Sequence, residues 1–501
     1  MRSVRQSTEG ARTIKGTSFY QHFLFSQRIE RFHFSVVHSA RTYFPFKGER
    51  GPINIFSRRG VCTCKVFIVA GESSGDAIGS RLMASLRCLS PQPLVFAGVG
   101  GPLMEKEGFQ SQFPIEDISV MGLVELIPHS LRLWRRLRET ITAAIAFKPD
   151  LVITVDSKGF SFRVHRGITE AYAAKGCCRP LAVHYVAPSF WAWKGGEDKL
   201  KGLSKIVDHV LCILPFEDAV CRASGLGATF VGHPVLEEAS VVTTADGKPQ
   251  NGPFRSSRGV TFRQHYGLET GSTLLSVLPG SRLQEVQRML PIFGEAVNLL
   301  QKSVADLKVA MPTPQCRLVT RRVEELVATW RVPVLVLPAA SDTDKYNSFS
   351  ASSAALCTSG TAVLQAHLAC VPCVAAYRAH PLTEYFIRRR TKLKYISLPN
   401  ILLDSAVIPE ALFGSCTAGQ IVSYLRPLME NKELQKKQLL TVEKVKNLLT
   451  PPVIEMPRCS AVASHSPETS ALLRKPSIVA ASCILRLLDQ RTVKLACRAE
   501  A

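Results

Sequence analysis

At 501 residues the chain is long enough for two or three domains with full-sized cores. Hydrophobic residues at 46% and charged ones at 20% exclude a disordered polymer, and no apolar run nears the ~18 residues of a membrane span. The formal net charge of +22 suits anionic partners, but where it lies matters more than its size.

Residues 1–60 hold nine Arg and two Lys against three Glu, with eleven Ser or Thr. Such an Arg-rich, acid-poor start predicts a transit peptide over 1–62, with a disordered basic arm as the plain alternative. The dominance of Arg over Lys points to a mitochondrion, with a plastid as the other destination. Eight of the net charges fall in this segment, so the charge makes a weak case for nucleic acid and none is expected as a partner.

From Cys64 the pattern changes. CKVFIVAG reads as a buried strand, ESSGD as a turn, and Asp76 to Arg87 as a helix. Strands follow at Leu94–Val99, Leu151–Asp156, Leu181–Ala187, Val210–Leu214 and Thr229–Val231, with helical patterns between most of them. This alternation predicts an open, mostly parallel sheet over 63–238. Residues 239–268 are polar and rich in Gly, Ser and Thr, and read as a linker or insertion. A second α/β set over 269–430 has strands at Leu274–Leu278, Leu307–Met311, Val334–Leu337, Ala354–Thr358 and Val371–Tyr377. Residues 431–501 read as a helical, partly loose C-terminal segment. The expected fold class is therefore α/β, two Rossmann-like domains facing a cleft, with ligands at the strand ends that line it. The fifteen cysteines are scattered, many in apolar runs, as reduced buried thiols would be. Cys370 and Cys373 form a lone CxxC that reads as a strand entry rather than a zinc site.

Leu274–Leu290 (LLSVLPGSRLQEVQRML) joins a buried strand, a Pro-Gly break and an amphipathic helix running to about Val304. Ser281 is a possible N-cap, and Glu285 falls in the first turn. A helix start with its amides outward, Gly280 for close approach and the Arg282 fork make a phosphate site. The plain reading is an ordinary turn with a solvated Arg. Ser359-Gly360-Thr361 repeats the design later, with Gln365 one turn into its helix; capping by Thr361 is the alternative there. Val120–Ile141 mixes apolar residues, including Met121 and Trp134, with four arginines, as a surface for anionic membrane does; a core helix with a solvated Arg face fits nearly as well. Phe386–Lys394 is a second basic and apolar cluster. Trp191 lies in an aromatic run, Tyr185–Lys194, suited to stacking on a sugar or packing on acyl chains, or simply to burial. Asp342-Thr-Asp344 matches a DxD metal pattern with no supporting context, and no metal is expected.

Taken in order, GESSGD (71–76), VMGLVEL (120–126), HYVAPSFWAW (184–193), VGHP (231–234), LPGSRLQEV (278–286), SGTAVLQ (359–365), YRAHPLTE (377–384) and YISLPN (395–400) are specific. Across roughly residues 64–430 the chain resembles the lipid-A-disaccharide synthases, which are glycosyltransferases of the GT-B fold. The resemblance implies transfer of a diacylated glucosamine from UDP to a diacylglucosamine 1-phosphate, with inversion and without metal or cofactor. It implies UDP contacts from Gly280, Ser281, Arg282 and Glu285, with Ser359, Gly360, Thr361, Gln365 and Asn400 nearby. Arg282 would offset charge on the departing diphosphate, and Gly71, Glu72 and Asp76 would face the cleft from the acceptor side. Glu72, Asp156 and Arg282 are the catalytic candidates; Asp76, Met121, Trp134 and Trp191 are the acceptor or lipid candidates.

Two departures stand out. The family's D-x-P-D-F is here Asp156-Ser157-Lys158-Gly159-Phe160, so Gly159 replaces the favoured general base and Asp156 becomes the candidate. Gln365 replaces the ribose-binding Glu, keeping its shape and one acceptor. A non-catalytic acyl-sugar or nucleotide-binding homologue, or a GT-B enzyme with another lipid acceptor, are the alternatives. A nicotinamide-dependent oxidoreductase would need GxGxxG, which neither domain has.

Overall fold

The computed structural model describes residues 63–119, 126–239, 257–269, 271–379, 381–452 and 473–499. The expected transit peptide, Met121 and most of the expected linker lie outside them. The first domain has β1 (Cys64–Ala70), β2 (Leu94–Val99), β3 (Leu151–Val155), β4 (Leu181–Tyr185), β5 (His209–Cys212) and β6 (Gly227–Phe230). The second has β7 (Thr273–Leu278), β8 (Leu307–Pro312), β9 (Val334–Leu337), β10 (Ala354–Thr358), β11 (Cys373–Tyr377) and β12 (Glu410–Leu412). All pairings are parallel. The orders are β2-β1-β3-β4-β5-β6 and β12-β11-β10-β7-β8-β9.

Helices cover both faces of each sheet, so the central strands are apolar throughout rather than alternating. Every residue of β3 (LVITV) and β4 (LAVHY) is buried. Successive side chains of β1 feed opposite cores. Val66, Ile68 and Ala70 meet Leu82 and Met83 of helix Ser73–Leu89, while Phe67 and Val69 meet Phe160 and Val164 of helix Lys158–Ala174. In the second domain Leu275 and Val277 pack on helices Leu283–Leu300 and Ala418–Glu430.

The described parts of 239–268 and 431–501 are distributed between the domains. Helix Ser257–His265 belongs to the second domain: Phe262 is in its core, and the Arg263 guanidinium donates to the Ala351 carbonyl at 2.9 Å. Helix Pro476–Ala499 returns to the first domain, burying Val479, Ala480, Cys483 and Ile484 against β1 and helix Ser73–Leu89. The ESSGD turn is already helical from Ser73. The short edge strand β12 is not among the strands read from the sequence. Between the domains, Leu214, Val235, Leu364, Val445 and Leu449 form one apolar cluster.

Each strand order reverses at one place, and a doubly wound sheet binds ligands at the C-terminal ends of the strands there. In the first sheet the reversal is between β1 and β3, and in the second between β7 and β10. Gly71-Glu72 and Asp156 follow the first pair; Gly280–Arg282 and Ser359–Thr361 follow the second.

Four histidines are buried and uncharged. Thr154 Oγ1 lies 2.8 Å from His165 Nε2 and 2.7 Å from His184 Nδ1. Burial holds His165 and His184 at about 3, and His233 and His367 at about 4, against 6.5 for free imidazole. The unfolded chain therefore takes up protons below pH 6.5 that the folded chain refuses, and stability is lost as pH falls from 6.5 toward 4. The loss is about 2 kcal/mol per histidine at pH 5. Glu217, raised by burial to about 7, works in the opposite direction and offsets roughly one of them. Urea midpoints should drop clearly between pH 7 and pH 5; a flat profile would show these histidines to be solvated.

Candidate active site

The two switch points face each other and touch. Arg282 Nη2 donates to Glu72 Oε2 at 2.6 Å across the cleft, and its Nη1 donates to Glu285 Oε1 at 2.9 Å. The side chains of Arg282 and Glu72 are 29% and 15% exposed, so the pair is enclosed but reachable. Burial raises the Glu72 carboxyl above its ordinary range; Arg282 opposes this, while Asp156 and Glu285 add to it. Two carboxylates share one guanidinium, with a third nearby, so the site carries surplus negative charge.

Gly280 has a φ of 118°, and a Cβ there would sit 2.6 Å from Glu285 Oε2. Glycine is needed for both the backbone and the space. The Ser281 amide donates to the same oxygen at 3.2 Å. Ser281 itself is not the N-cap. Helix Leu283–Leu300 is preceded by Arg282 in the cap position, with extended backbone and no side-chain cap, because the Glu285 carboxylate reaches back instead. The Glu285 and Glu72 oxygens thus lie on a backbone amide and a guanidinium that suit anionic oxygens.

The second turn is open. Gly360, at φ 134°, has nothing within 4 Å of where a Cβ would be. It occupies the cap position of helix Thr361–Leu368 without a side-chain cap bond, so Thr361 is not the capping residue. Pairing of Leu278 with Cys357 sets this turn beside the Gly280 turn. Ser359 is partly buried and Thr361 exposed, both at the helix mouth. Gln365 is buried and donates to Glu238 Oε2 at 2.6 Å. That carboxylate also meets Lys345 at 3.8 Å and Arg81 at 3.4 Å, while Arg81 reaches Asp342 at 3.0 Å. This cluster spanning both domains had no signature in the sequence, since its members come from four separate helices. Asp344, the other half of the DxD triplet, forms a capping box with Ser341.

On the opposite lobe Asp156 and Ser157 have φ of 52° and 45°, left-handed values that non-glycine residues rarely adopt. The strained turn places the half-buried Asp156 at the switch point beside Glu72. Gly71 permits this, because a Cβ on it would lie 2.2 Å from Ser157 Cβ.

Three expected contacts take other places. Asp76 does not face the cleft: its buried carboxylate accepts from the amides of Gly101, Leu103 and Met104, starting helix Pro102–Lys106. Asn400 is buried as a loop staple, with its oxygen accepting from the Val407 and Ile408 amides and its nitrogen donating to Ile408 and Glu410. Trp191 donates from Nε1 to Glu217 at 3.0 Å and packs edge-on against Phe216, so it supports the loop rather than offering a free face. Trp134, by contrast, is 52% exposed, with the Arg138 guanidinium 4.7 Å from its ring centre. Past Trp191 the loop crosses to the second domain: Lys392 donates its amide to Ala192, and Lys194 to Arg390.

Residues 66–463 match a family model described as lipid-A-disaccharide synthetase. A probable mitochondrial lipid-A-disaccharide synthase of Arabidopsis thaliana is 49% identical over 84% of this chain and 90% of its own length. The Rhodospirillum centenum lipid-A-disaccharide synthase is 40% identical over 76% of this chain and 88% of its own. Among solved structures, a UDP-GlcNAc 2-epimerase from Neisseria meningitidis bound to UDP-GlcNAc superposes with a TM-score of 0.51 at 11% identity, covering 76% of this chain and 98% of that one. At that identity the likeness speaks to the fold alone.

The Gly71–Ser157 approach yields a double-variant test. Gly71→Ala should cost about 1–3 kcal/mol of stability through overpacking, and Ser157→Gly should recover most of it by vacating the space and relaxing the left-handed backbone. Denaturation of the single and double variants measures this; strictly additive effects would refute the contact.

Proposed function

The chain belongs to the lipid-A-disaccharide synthase family, and we propose that its two opposed switch points perform that family's sugar transfer in the following way. The UDP of the donor lies on the second domain, its diphosphate against the Gly280 and Gly360 turns and Arg282. The acylated glucosamine phosphate acceptor enters from the first domain. Its hydroxyl attacks the donor's anomeric carbon from the face opposite UDP, the bond to the diphosphate breaks, and UDP departs. Asp156 takes the hydroxyl proton in place of the carboxylate missing at Gly159. The contact between Glu72 and Arg282 supports this reading most directly, because it brings a donor-side cation and the acceptor-side strand ends within one bond of each other.

Arg282 meets negative charge that grows on the leaving diphosphate, which is where a preorganised cation contributes most. Glu72 holds that cation while the site is empty. An arriving diphosphate takes over the guanidinium and leaves Glu72 beside further negative charge, so the carboxyl takes up a proton or swings away. Exposed Leu131 and Trp134, with Arg135 and Arg138 on the same helix, suit a glancing contact with anionic membrane, where the acyl chains of both substrates reside. The basic N-terminal segment and the mitochondrial name of the Arabidopsis relative support a mitochondrial location.

Three outcomes check this. Arg282→Ala should lower kcat/KM about 10²–10³-fold in a UDP-release assay. Asp156→Asn should lower kcat about 10²-fold or more while UDP affinity, measured by calorimetry, stays within about twofold; unchanged turnover would remove Asp156 from the mechanism. UDP binding should take up protons, seen as heats that differ between buffers, and Glu72→Gln should abolish the difference. Tight UDP binding with no product from any acylated acceptor would favour a non-catalytic homologue.

A further inference from the structure

Beside Asp156, two ammonium groups converge on one ring. Lys158 Nζ lies 5.4 Å from the ring centre of Phe190, and Lys199 Nζ lies 5.7 Å from it. Lys158 begins helix Lys158–Ala174 immediately after β3, and Lys199 comes from helix Gly196–Leu203 in the loop after β4. Both therefore stand over the acceptor-side strand ends. Neighbouring cations are already engaged. Lys392 pairs with Glu197 at 2.7 Å, Lys201 with Asp198 at 3.7 Å, and Lys194 Nζ donates to the Arg389 carbonyl at 3.2 Å. Among the described residues, neither Lys158 nor Lys199 makes an ion pair or a side-chain hydrogen bond.

Lys158 and Lys199 are both exposed residues. Partial burial lowers the Lys158 ammonium below the ordinary lysine range; Asp156 opposes the shift and Lys199 adds to it. The helix it begins is 17 residues long, and its cap residue Ser157 makes no side-chain bond to the first turn. Two like charges and an uncapped helix start favour an anion there, while the Phe190 ring face holds the two ammonium groups together.

We propose that Lys158 and Lys199, over Phe190, form the subsite for the acceptor's phosphate. This rests on the transfer reaction proposed above and adds the recognition of its second substrate. The reacting hydroxyl and the phosphate belong to one sugar, and Asp156 and Lys158 lie two residues apart on one turn. One group receives the proton while the other holds the phosphate, and the negative charge of Asp156 stays toward the hydroxyl. Lys158 immediately precedes Gly159, so the turn that lacks the family's carboxylate carries a cation instead.

The test compares diacylglucosamine 1-phosphate with diacylglucosamine lacking the phosphate, using the full chain. Wild type should prefer the phosphorylated acceptor by about tenfold to a hundredfold in kcat/KM, the range of a charge-assisted bond. Lys158→Gln and Lys199→Gln should each raise the KM for the phosphorylated acceptor, leave UDP affinity unchanged and shrink the preference; the double variant should nearly erase it. Lys158→Arg should restore part of it. Variants that turn over normally and still discriminate as wild type does would overturn the subsite and leave the transfer reaction standing. A wild type that binds UDP but converts neither acceptor would instead defeat the reaction itself.

Discussion

One ion pair connects the two halves of this molecule at the point where their strand-order reversals meet. Arg282 belongs to the second domain and Glu72 to the first, and their 2.6 Å contact joins the β1/β3 reversal to the β7/β10 reversal. Its strength is set by its surroundings. An exposed pair contributes ~0–1 kcal/mol, and this one is more enclosed. A nucleotide bound at micromolar affinity supplies about 8 kcal/mol. Ligand binding can therefore open the pair, while water and salt do so only in part. Other contacts between the lobes lie away from this point, among them the apolar cluster around Leu364 and Leu449, the Arg81–Glu238–Lys345 group, and the backbone crossing at Trp193 and Thr391. They hold the lobes in register independently of the central pair.

Surplus negative charge surrounds Arg282, because the protein's own carboxylates occupy its guanidinium. Glu285 lies on the Ser281 amide and Glu72 on the guanidinium. On the other lobe Lys158 and Lys199 share the Phe190 ring and, among the described residues, make no ion pair. In the reaction proposed above, a phosphorylated acceptor would pair these two cations, whereas the donor's diphosphate would have to displace Glu72 from Arg282.

Most of the architecture is legible in the sequence because parallel strands covered on both faces are written as short apolar runs. Strands such as Val334–Leu337 and Ala354–Thr358 stand where expected. The three-residue β12 has too little pattern of its own and exists only by pairing with β11. The return of helix Pro476–Ala499 to the first domain is a long-range choice that local periodicity cannot express. Within the site, sequence locates the turns, since Gly280 and Gly360 are demanded by backbone geometry. It does not separate a carboxylate that meets a ligand from one that caps a helix. Asp76 and Glu72 lie four residues apart in one motif, yet one is sealed under helix Pro102–Lys106 and the other crosses the cleft. Asn400 is likewise drawn into its own loop by the Val407 and Ile408 amides.

The most direct measurement is a crystal structure of the protein with UDP bound. The diphosphate should rest on the amides after Gly280 and near Gly360, with Arg282 turned from Glu72 to a phosphate oxygen. UDP bound elsewhere, or seated there with the Arg282–Glu72 contact intact, would contradict the central claim that this guanidinium passes from one lobe's carboxylate to the donor.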